Sequence, residues 1–412
     1  EADGASRYTA SYSLATDGLG QWRIVDLPSG VLLPAGSLST NFVATSLYFL
    51  APDLRRFVPD LRWLPRRNLV SSAAAALLDG PTDWLAAGAL SALPDGTGLA
   101  ADGVTLEGET ATVTLDAAAA DLGEQARSLA VAQLTATLSR IEGVASVVVM
   151  AGDESLGEPA PLREPDAEAG AVIGLAGGAV VQGTSSTRKT LATAQALGTT
   201  QARHPALGPD GAVYALNASS LLRLRAGEGA ASVIASVGAA DAGEGGLLPP
   251  VVDRYGWVWT VADGALTSVG SMGQRAELSA HWLEGREVTA MDLSAESARL
   301  VLRHRSGDGG GDERVSAAVV LRAEDGTPRG LGEPLPLPLA AGLAWCDLVN
   351  VVVLAPGEVG QGALDVRYVQ VGGTMTGVAG TQGVRALVAD RVSGAVLLVD
   401  DRGQVWQRKG AT

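Results

Sequence analysis

Few residues of this chain could carry out covalent catalysis. Ser186 and Lys189 match the Ser-x-x-Lys pattern, in which a serine nucleophile lies one helical turn from a lysine base. Here the pair lies in a Gly- and Ser-rich stretch that borders a predicted strand, and no Lys-Thr-Gly sequence follows it. The chain also lacks the Gly-x-Ser-x-Gly elbow of hydrolases. We therefore expect a loop at this position, predict no catalytic residues and expect a protein that is not an enzyme.

Residues that bind metal ions are present but lack the required spacing. The histidines stand far apart, and we interpret all of them as surface or structural residues: His204, His281 and His304. Cys346 is the only cysteine, which excludes an internal disulfide and a cysteine-based metal site. The acidic, glycine-rich run at residues 308–313 lacks the alternate-position ligands of a calcium loop, so we expect a solvated hairpin tip. No metal ion and no cofactor is predicted.

A binding surface is predicted at residues 52–67. This segment contains five arginines against two aspartates, so it is locally basic in an acidic chain. Aromatic residues are interleaved with the arginines, and this combination is typical of the residues that dominate protein interfaces. The candidate contact residues are Arg55, Arg56, Phe57, Arg62 and Trp63. The alternative is that Phe57 and Trp63 pack on a sheet while the arginines are solvated.

The overall composition indicates a folded protein of two or three domains, because 412 residues are too many for one ordinary core. The formal net charge of −15 disfavours a nucleic-acid partner, since phosphate binding requires clustered lysine and arginine. No run of about eighteen apolar residues is present, so no segment is predicted to span a membrane. The sequence opens abruptly at Glu1 and shows no signal peptide, so we expect a mature or trimmed chain.

The elements that would position the basic segment lie at residues 43–156. Two helices, each with one apolar face, alternate with short apolar strands in the order β-α-β-β-α-β. One helix is expected to begin after Asn68, and the other at a capping box formed by Asp121 and Glu124. The predicted strands are residues 47–50, 104–106, 111–115 and 144–150. This order predicts a compact α+β module of sheet and helices.

Upstream of this module, residues 7–28 have the pattern of a β-hairpin. Apolar residues alternate along both arms, and Asp17 and Gly18 supply the turn. An isolated hairpin is only marginally stable in water. Such a hairpin either docks on the neighbouring module or is the remnant of an upstream domain. We expect residues 1–40 to be such a remnant, because residues 34–40 have the pattern of a linker.

Beyond a linker at residues 157–168, short alternating strands recur. The best internal register aligns residues 205–216 with residues 250–261, each an apolar strand, a polar turn and a second apolar strand. The same form returns at residues 288–302, 343–354 and 384–398, at intervals of roughly forty to fifty residues, the period of a propeller blade. Residues 172–181 and 404–407 could complete a shared closing blade. We predict a β-propeller of about six blades, with seven blades or a stacked β-sandwich as alternatives.

The module at residues 43–156 resembles a GerMN domain. The resemblance lies in Tyr-Phe-Leu at residues 48–50, Leu-Leu-Asp-Gly-Pro at 77–81, Leu-Pro-Asp-Gly-Thr at 93–97 and the helix that ends in Ile-Glu-Gly-Val at 141–144. That domain is named for spore-germination proteins and also occurs in extracytoplasmic lipoproteins. The resemblance implies an α/β sandwich that serves as a scaffold.

The order of a GerMN-like domain and a propeller resembles the LpqB family of actinobacterial lipoproteins. The expected fold class is therefore α+β plus all-β, with an N-terminal remnant at residues 1–40, the GerMN-like domain at 43–156, a linker at 157–168 and the propeller at 169–412. The resemblance implies a lipid-anchored cell-envelope protein on the outer face of the cytoplasmic membrane. It also implies binding to the extracytoplasmic domain of the MtrB sensor kinase, and thereby modulation of the MtrA–MtrB two-component system.

Two points in that resemblance remain expectations. The lipidated N-terminal cysteine of the family is absent here, so membrane contact is expected only through an anchor that this chain lacks. Peptidoglycan or glycan binding, or a hydrolytic propeller, is the alternative function. A hydrolase would need converging carboxylates or a His–carboxylate pair at the strand starts, and the repeats have small and apolar residues there.

Overall fold

The computed structural model describes residues 13–16, 18, 20–26, 34–162, 172–183, 187–237, 246–262, 264–308, 311–357, 364–378 and 383–409. In its N-terminal part, strands β1 (Ser13–Thr16) and β2 (Trp22–Asp26) pair antiparallel, as the alternating pattern predicts. The rest of that predicted hairpin, including Asp17, lies outside the described residues. Helix α1 (Ala35–Asn41) occupies the segment for which a linker is predicted.

The second region combines a hairpin, a mixed sheet and helices. Strands β3 (Phe42–Leu50) and β4 (Phe57–Pro65) form the antiparallel hairpin. The four-stranded sheet has the order β5 (Leu99–Glu107), β6 (Thr110–Leu115), β7 (Ser146–Ala151) and β8 (Glu154–Ser155). The helices are α2 (Leu69–Leu78), α3 (Asp83–Ala86) and α4 (Glu124–Leu138), with a 3₁₀ turn at Ala117–Asp121. Helix α4 connects β6 to β7, and such a crossover allows these two strands to run parallel.

One hydrophobic core holds this region together. Helices α2 and α4 pack on each other and on β3, and α4 also contacts β7. Leu47 and Phe49 from β3, Leu77 from α2 and Leu134 and Leu138 from α4 are completely buried in this core. The apolar stripe of α4 is therefore core, as its helical spacing predicts.

Three details of this region differ from the sequence predictions. The capping box does not form, because Asp121 ends the 3₁₀ turn and α4 begins at Glu124 after Gly123. Asn68 does precede α2, but its φ angle is 60° and its side chain makes no capping hydrogen bond. Asparagine tolerates this left-handed conformation, so it can reverse the chain between β4 and α2. Strand β4 itself was not predicted, because prolines and arginines obscure its alternation.

The third region consists of six consecutive antiparallel sheets within the described residues, which we number as blades. Blade 1 contains β9 (Val172–Ala176), β10 (Ala179–Gly183) and β11 (Arg188–Ala192). After helix α5 (Ala194–Leu197), blade 2 contains β12 (Arg203–Leu207), β13 (Val213–Leu216), β14 (Ser220–Leu224) and β15 (Ser232–Ser236). Blade 3 contains β16 (Val251–Val252), β17 (Val258–Ala262), β18 (Ala265–Val269) and β19 (Arg275–Ala276).

A 3₁₀ turn at His281–Leu283 leads into the second half of the ring. Blade 4 contains β20 (Arg286–Leu293), β21 (Arg299–Ser306), β22 (Arg314–Arg322), β23 (Pro328–Leu331) and β24 (Leu335–Leu337). Blade 5 contains β25 (Gly342–Trp345), β26 (Asn350–Pro356), β27 (Leu364–Gln370) and β28 (Met375–Gly377). Blade 6 contains β29 (Val384–Ala389), β30 (Ala395–Asp400) and β31 (Val405–Lys409).

These sheets confirm the propeller and the register on which it was predicted. Residues 205–216 and 250–261 supply the first two strands of blades 2 and 3, as their sequence alignment requires. The first strands of successive blades contact one another, because β12 touches both β9 and β16, and β25 touches both β20 and β29. The prediction of a shared closing blade is wrong. Strand β31 pairs with β30 in blade 6, whereas β9 and β10 pair in blade 1, so the first and last strands of the propeller region are in separate sheets.

Candidate interaction surface at the domain junction

The predicted contact segment, residues 52–67, contains strand β4, which lies between helix α2 and the propeller. Successive side chains of a strand point to opposite faces. Val58 and Leu64 point to the core shared with α2, where they are buried. Leu61 points the other way and meets blade 5, since a Cβ atom at Gly373 would lie 2.5 Å from its Cδ2. The candidate residues are therefore distributed over two faces of one strand.

Arg62 is bound inside the GerMN-like domain. Its Nη2 lies 2.9 Å from Oδ2 of Asp60, whose side chain is almost completely buried. The guanidinium also donates to the carbonyls of Ala76, at 3.1 Å, and Gly80, at the C-terminal end of α2. Asp60 in turn accepts from the backbone N–H and the hydroxyl of Thr82. Arg62 thus satisfies carbonyls that the helix leaves open, which is a structural role.

On the opposite face, a buried arginine of blade 4 reaches β4. Arg299 is 1% exposed and donates to the carbonyl of Pro59 at 3.3 Å. Its Nε lies 2.7 Å from Oε1 of Glu296, which is also completely buried, and its guanidinium carbon lies 4.6 Å from the ring centroid of Trp345. Arg299 further donates to the carbonyl of Leu348. One side chain therefore joins the GerMN-like domain to blades 4 and 5.

A second contact across the junction is an ion pair at the tip of the β3–β4 hairpin. Asp53 Oδ2 lies 2.7 Å from Arg254 Nη2, in the turn between the first two strands of blade 3. Burial raises the pKa of Asp53, but the hydrogen bond and positive charge of Arg254 bring it below its usual value. Leu54 adopts a φ angle of 56°, and Asp53 Oδ1 accepts from the N–H of Arg55. The Arg55 side chain is exposed.

Arg56 lines a cavity of about 670 Å³, together with residues of the propeller. The cavity lies between the first and last blades, since Val172 of blade 1 and Val388 and Leu397 of blade 6 line it, and it extends to Leu207 of blade 2. Its polar lining includes Gln182, Asp390, Arg391 and Gln407. The guanidinium of Arg391 is paired with Asp292 at 2.7 Å.

The five candidate contact residues therefore occupy different environments. Arg55 is exposed, Arg56 and Trp63 are partly buried, and Arg62 is engaged within its own domain. Phe57 packs edge-to-face on Tyr48 of β3, with ring centroids 5.9 Å apart, as the alternative interpretation expects for this residue. Their contact with a partner protein stays a prediction.

Sequence reasoning missed the residues that make the junction. Asp53, Arg254, Glu296 and Arg299 were not singled out. A usable signal was present, because Arg254 and Glu296 lie in the polar turns that follow the first strand of a blade, and Arg299 is the first residue after such a turn. In an antiparallel blade, those turns all lie at one end of the sheet, so the repeat register alone indicates that these charges share a face.

The other residues considered for catalysis or metal binding lie in strands or in structural ion pairs, where the structure describes them. Ser186 lies outside the described residues, and Lys189 lies in strand β11. At the tip of the β21–β22 hairpin, Asp312 is paired with Arg286 at 3.0 Å and Arg314 at 2.9 Å. Within the described residues, no three His, Cys, Asp or Glu side chains are grouped as a metal site requires. No helix in the described part of the chain is long and apolar enough to cross a membrane.

His304 lies in a buried network in blade 4. Arg286 Nε donates to its Nδ1 at 2.5 Å, so Nε2 carries the proton and faces the hydroxyl of Ser316 at 3.0 Å. Burial, followed by the positive charges of Arg286 and Arg314, lowers the pKa of His304 from 6.5 to about 4. A neutral imidazole fixed in this way suits structure better than proton transfer at neutral pH.

Comparison with known families assigns both larger regions. Residues 46–157 match a family model described as Germane, sporulation and spore germination. Residues 178–412 match a family model described as the lipoprotein LpqB beta-propeller domain.

Curated relatives carry the same description. The chain is 27% identical to Lipoprotein LpqB of Bifidobacterium longum over 325 residues, covering 76% of this chain and 53% of that protein. It is 32% identical to Lipoprotein LpqB of Rhodococcus jostii over 152 residues, covering 34% of this chain and 26% of that protein. The chain thus spans about a quarter to about half of the length of these relatives.

Solved structures show weaker likenesses. The tandem GerMN domains of the sporulation protein GerM from Bacillus subtilis are 19% identical and cover 31% of this chain and 45% of that chain, with a TM-score of 0.25. YCF48 from Cyanidioschyzon merolae is 13% identical and covers 64% of this chain and 82% of that chain, with a TM-score of 0.36. Scores this low carry no argument about function.

Proposed function

Since the chain belongs to the LpqB family of lipoproteins, we propose that it is a non-enzymatic accessory protein of the cell envelope that binds and modulates the MtrB sensor kinase. The family match over residues 178–412 is the observation that carries the proposal. Membership of this lipoprotein family supports a lipid anchor on the outer face of the cytoplasmic membrane. The protein acts there through contacts with the extracytoplasmic domain of the kinase.

The geometry supports binding over catalysis. In the buried polar clusters around Arg299 and His304, the guanidinium and imidazole groups are hydrogen-bonded to neighbouring side chains and, for Arg299, to main-chain carbonyls. Exposed cations remain at the hairpin tip, at Arg55, and just beyond β4, at Arg66 and Arg67. In a protein of net charge −15, these cations provide a local attraction for an acidic partner.

Direct binding of the purified kinase domain tests this proposal. The extracytoplasmic domain of MtrB from the same organism is immobilised, and binding of the full chain is measured at several salt concentrations. The double variant Arg55→Glu/Arg56→Glu should bind at least about tenfold more weakly, because like charges then face each other at the contact. Arg188→Glu/Lys189→Glu, on an exposed strand of blade 1, is the matched charge-reversal control and should bind normally.

The possible outcomes distinguish a wrong partner from a wrong contact surface. If the wild-type chain does not bind the kinase domain, the proposed partner is wrong. If both double variants bind as well as wild type and salt has no effect, the partner stands and residues 55–56 are removed from the contact.

The cavity between blades 1 and 6 favours glycan binding as a second function. Its amide, carboxylate and guanidinium groups suit the hydroxyl groups of a sugar, and its volume of about 670 Å³ is in the range of ligand sites. Soluble peptidoglycan fragments should then bind the wild-type chain in calorimetry, and they should bind the Gln407→Leu variant more weakly. Chromatography of the same mixtures distinguishes binding from hydrolysis, because cleavage products would establish an enzyme.

A further inference from the structure

The GerMN-like domain has a groove between two sheet edges that face each other without pairing. Strand β3 is bonded to β4 on one side only, and β5 is the outermost strand of the four-stranded sheet. The groove has a volume of about 780 Å³. It is lined by β3 and β5 and, beneath them, by the start of α2 and the end of α4.

The open part of the β3 edge can be located residue by residue. In an antiparallel pair, alternate residues turn their N–H and C=O groups away from the partner strand. Leu50 exchanges two hydrogen bonds of 2.8 Å with Leu90, outside the β3–β4 pair, so the even-numbered residues of β3 face outward. The N–H of Tyr48 donates to Thr137 Oγ1 and that of Phe42 donates to the carbonyl of Leu38, which agrees with this parity.

The middle of this edge has no hydrogen-bond partners among the described residues. Ala44 and Ser46 are the remaining outward residues, and their outward main-chain groups have no hydrogen bond within the part of the chain that the structure describes. Both residues line the groove and are partly exposed. A row of such groups on a strand edge is a template for another strand.

The chemistry of the groove defines the strand that fits. Its walls are apolar at Leu69, Val70, Val104 and Leu106, of which Leu106 is 49% exposed. Arg66 and Arg140 lie along the groove with one acidic residue, Glu142, which leaves a local excess of positive charge in an acidic protein.

We propose that this groove binds an extended, acidic segment of another envelope protein, which adds to β3 as a strand opposite Ala44 and Ser46. Main-chain hydrogen bonds supply affinity, and alternate apolar side chains enter the groove, as in other cases of strand addition. A second copy of this acidic chain is the less complementary occupant. The proposal does not depend on the kinase being the partner.

A proline at position 46 tests the proposal directly. Ser46 N–H points away from β4, so Ser46→Pro removes the groove-facing donor without breaking a β3–β4 hydrogen bond. Pro59 and Pro65 of β4 stand opposite Tyr48 and Phe42, which are outward positions of the same kind. Ser46→Ala is the matched control, because it removes the hydroxyl and retains the N–H. Circular dichroism and thermal unfolding establish that both variants fold.

The probe is a random dodecapeptide library displayed on phage and selected on the full chain. We expect enriched sequences that alternate apolar residues and carry Asp or Glu. Because one main-chain hydrogen bond and its geometry are lost, binding of those synthetic peptides should fall about tenfold in Ser46→Pro and remain in Ser46→Ala. Peptide binding should also slow amide exchange in β3. If Ser46→Pro does not fold, Arg66→Glu, which leaves the backbone intact, should weaken acidic peptides by a similar factor.

Several results would overturn the proposal. It fails if no sequence is enriched, or if the enriched peptides bind Ser46→Pro and Arg66→Glu as they bind wild type. It also fails if the chain forms dimers that Ser46→Pro dissociates, because the occupant would then be a second copy. Peptide binding in the groove without any binding of the kinase domain would support this inference and contradict the proposed function.

Discussion

Blades 4 and 6 belong to the same ring but differ in what covers them. In blade 4, residues Leu300, Val301 and Leu302 are completely buried, and Ala298 and Val319 belong to the core of the GerMN-like domain. In blade 6, Val388, Val405 and Trp406 are 57%, 60% and 40% exposed. The GerMN-like domain thus packs closely on blade 4, whereas blade 6 is less covered and a cavity lined by Val388, Leu397 and Arg56 lies beside it.

The comparison shows how the junction is stabilised. Charges near blade 4 are buried and paired, as in Arg299 with Glu296 and Arg322 with Asp253. A buried pair is costly to break, because one unpaired charge remains in a medium of low dielectric. Exposed pairs contribute little. Substitutions should therefore have large effects at the junction and small effects in blade 6.

The largest effect is expected for Arg299→Met. This change leaves the completely buried carboxylate of Glu296 without its ion partner and should cost about 3–5 kcal/mol in the free energy of unfolding. Urea denaturation measures this loss. Arg305→Met, which removes an exposed partner of Glu287 in the same blade, should cost at most about 1 kcal/mol. Equal losses in the two variants would show that burial does not distinguish these pairs.

Acidification should act next most strongly, through His304. Its pKa is about 4 in the folded protein and near 6.5 when unfolded, so between these values the unfolded state binds more protons. The contribution of His304 to the free energy of unfolding is therefore complete above pH 6.5. It falls as the pH approaches 4, by about 3 kcal/mol at most. Unfolding is measured against pH in the wild type and in His304→Gln.

The His304→Gln variant provides the control for the other titrating groups. Its stability curve should lack the loss between pH 6.5 and 4. The charged and titratable neighbours of His304 are Arg286, Asp312 and Arg314, and these are unchanged in the variant. Parallel curves for the two proteins would assign the pH dependence to carboxylates elsewhere.

The contrast between the two blades also shows what the sequence could predict. The blade register was predictable because strands buried on both faces are apolar throughout, as in Val351–Ala355, and because polar turns separate them. Strand β4 was not, since Pro59, Asp60 and Arg62 interrupt its pattern. Asp60 and Arg62 satisfy each other and the end of α2, and such long-range pairing leaves no trace in local sequence.

For the candidate surface, the sequence predicted which segment makes contacts, but not which molecule or domain it contacts. An excess of arginine and aromatic residues identified the segment that meets the propeller, but the sequence did not distinguish an internal junction from an external one. Both use arginine for the same reason, because the guanidinium binds carboxylates and carbonyls with several donors. Arg299 and Glu296 lie three residues apart, a spacing that in isolation predicts only a local surface pair.

A smaller effect is expected for Asp53→Asn at the hairpin tip. The change removes the charge that pairs with Arg254 across the junction, where both side chains are mostly buried, and should cost about 1–2 kcal/mol. Asp95→Asn, in an exposed turn of the same domain, is the matched control and should change the unfolding free energy by less than about 0.5 kcal/mol. If Asp53→Asn is also neutral, the hairpin tip contributes nothing to domain contact.

The smallest effect is expected in blade 6, for Trp406→Ala. Strand β31 is the outer strand of a three-stranded sheet in the described residues, and its tryptophan is 40% exposed, so truncation should cost less than about 1 kcal/mol. Trp345→Ala in blade 5 provides the reference, because that ring is completely buried beneath Arg299 and should cost about 3–5 kcal/mol. Differential scanning calorimetry compares the two. If Trp406→Ala costs as much as Trp345→Ala, something covers the outer strand of blade 6 in solution, and the less covered side of the ring is then an interface of its own.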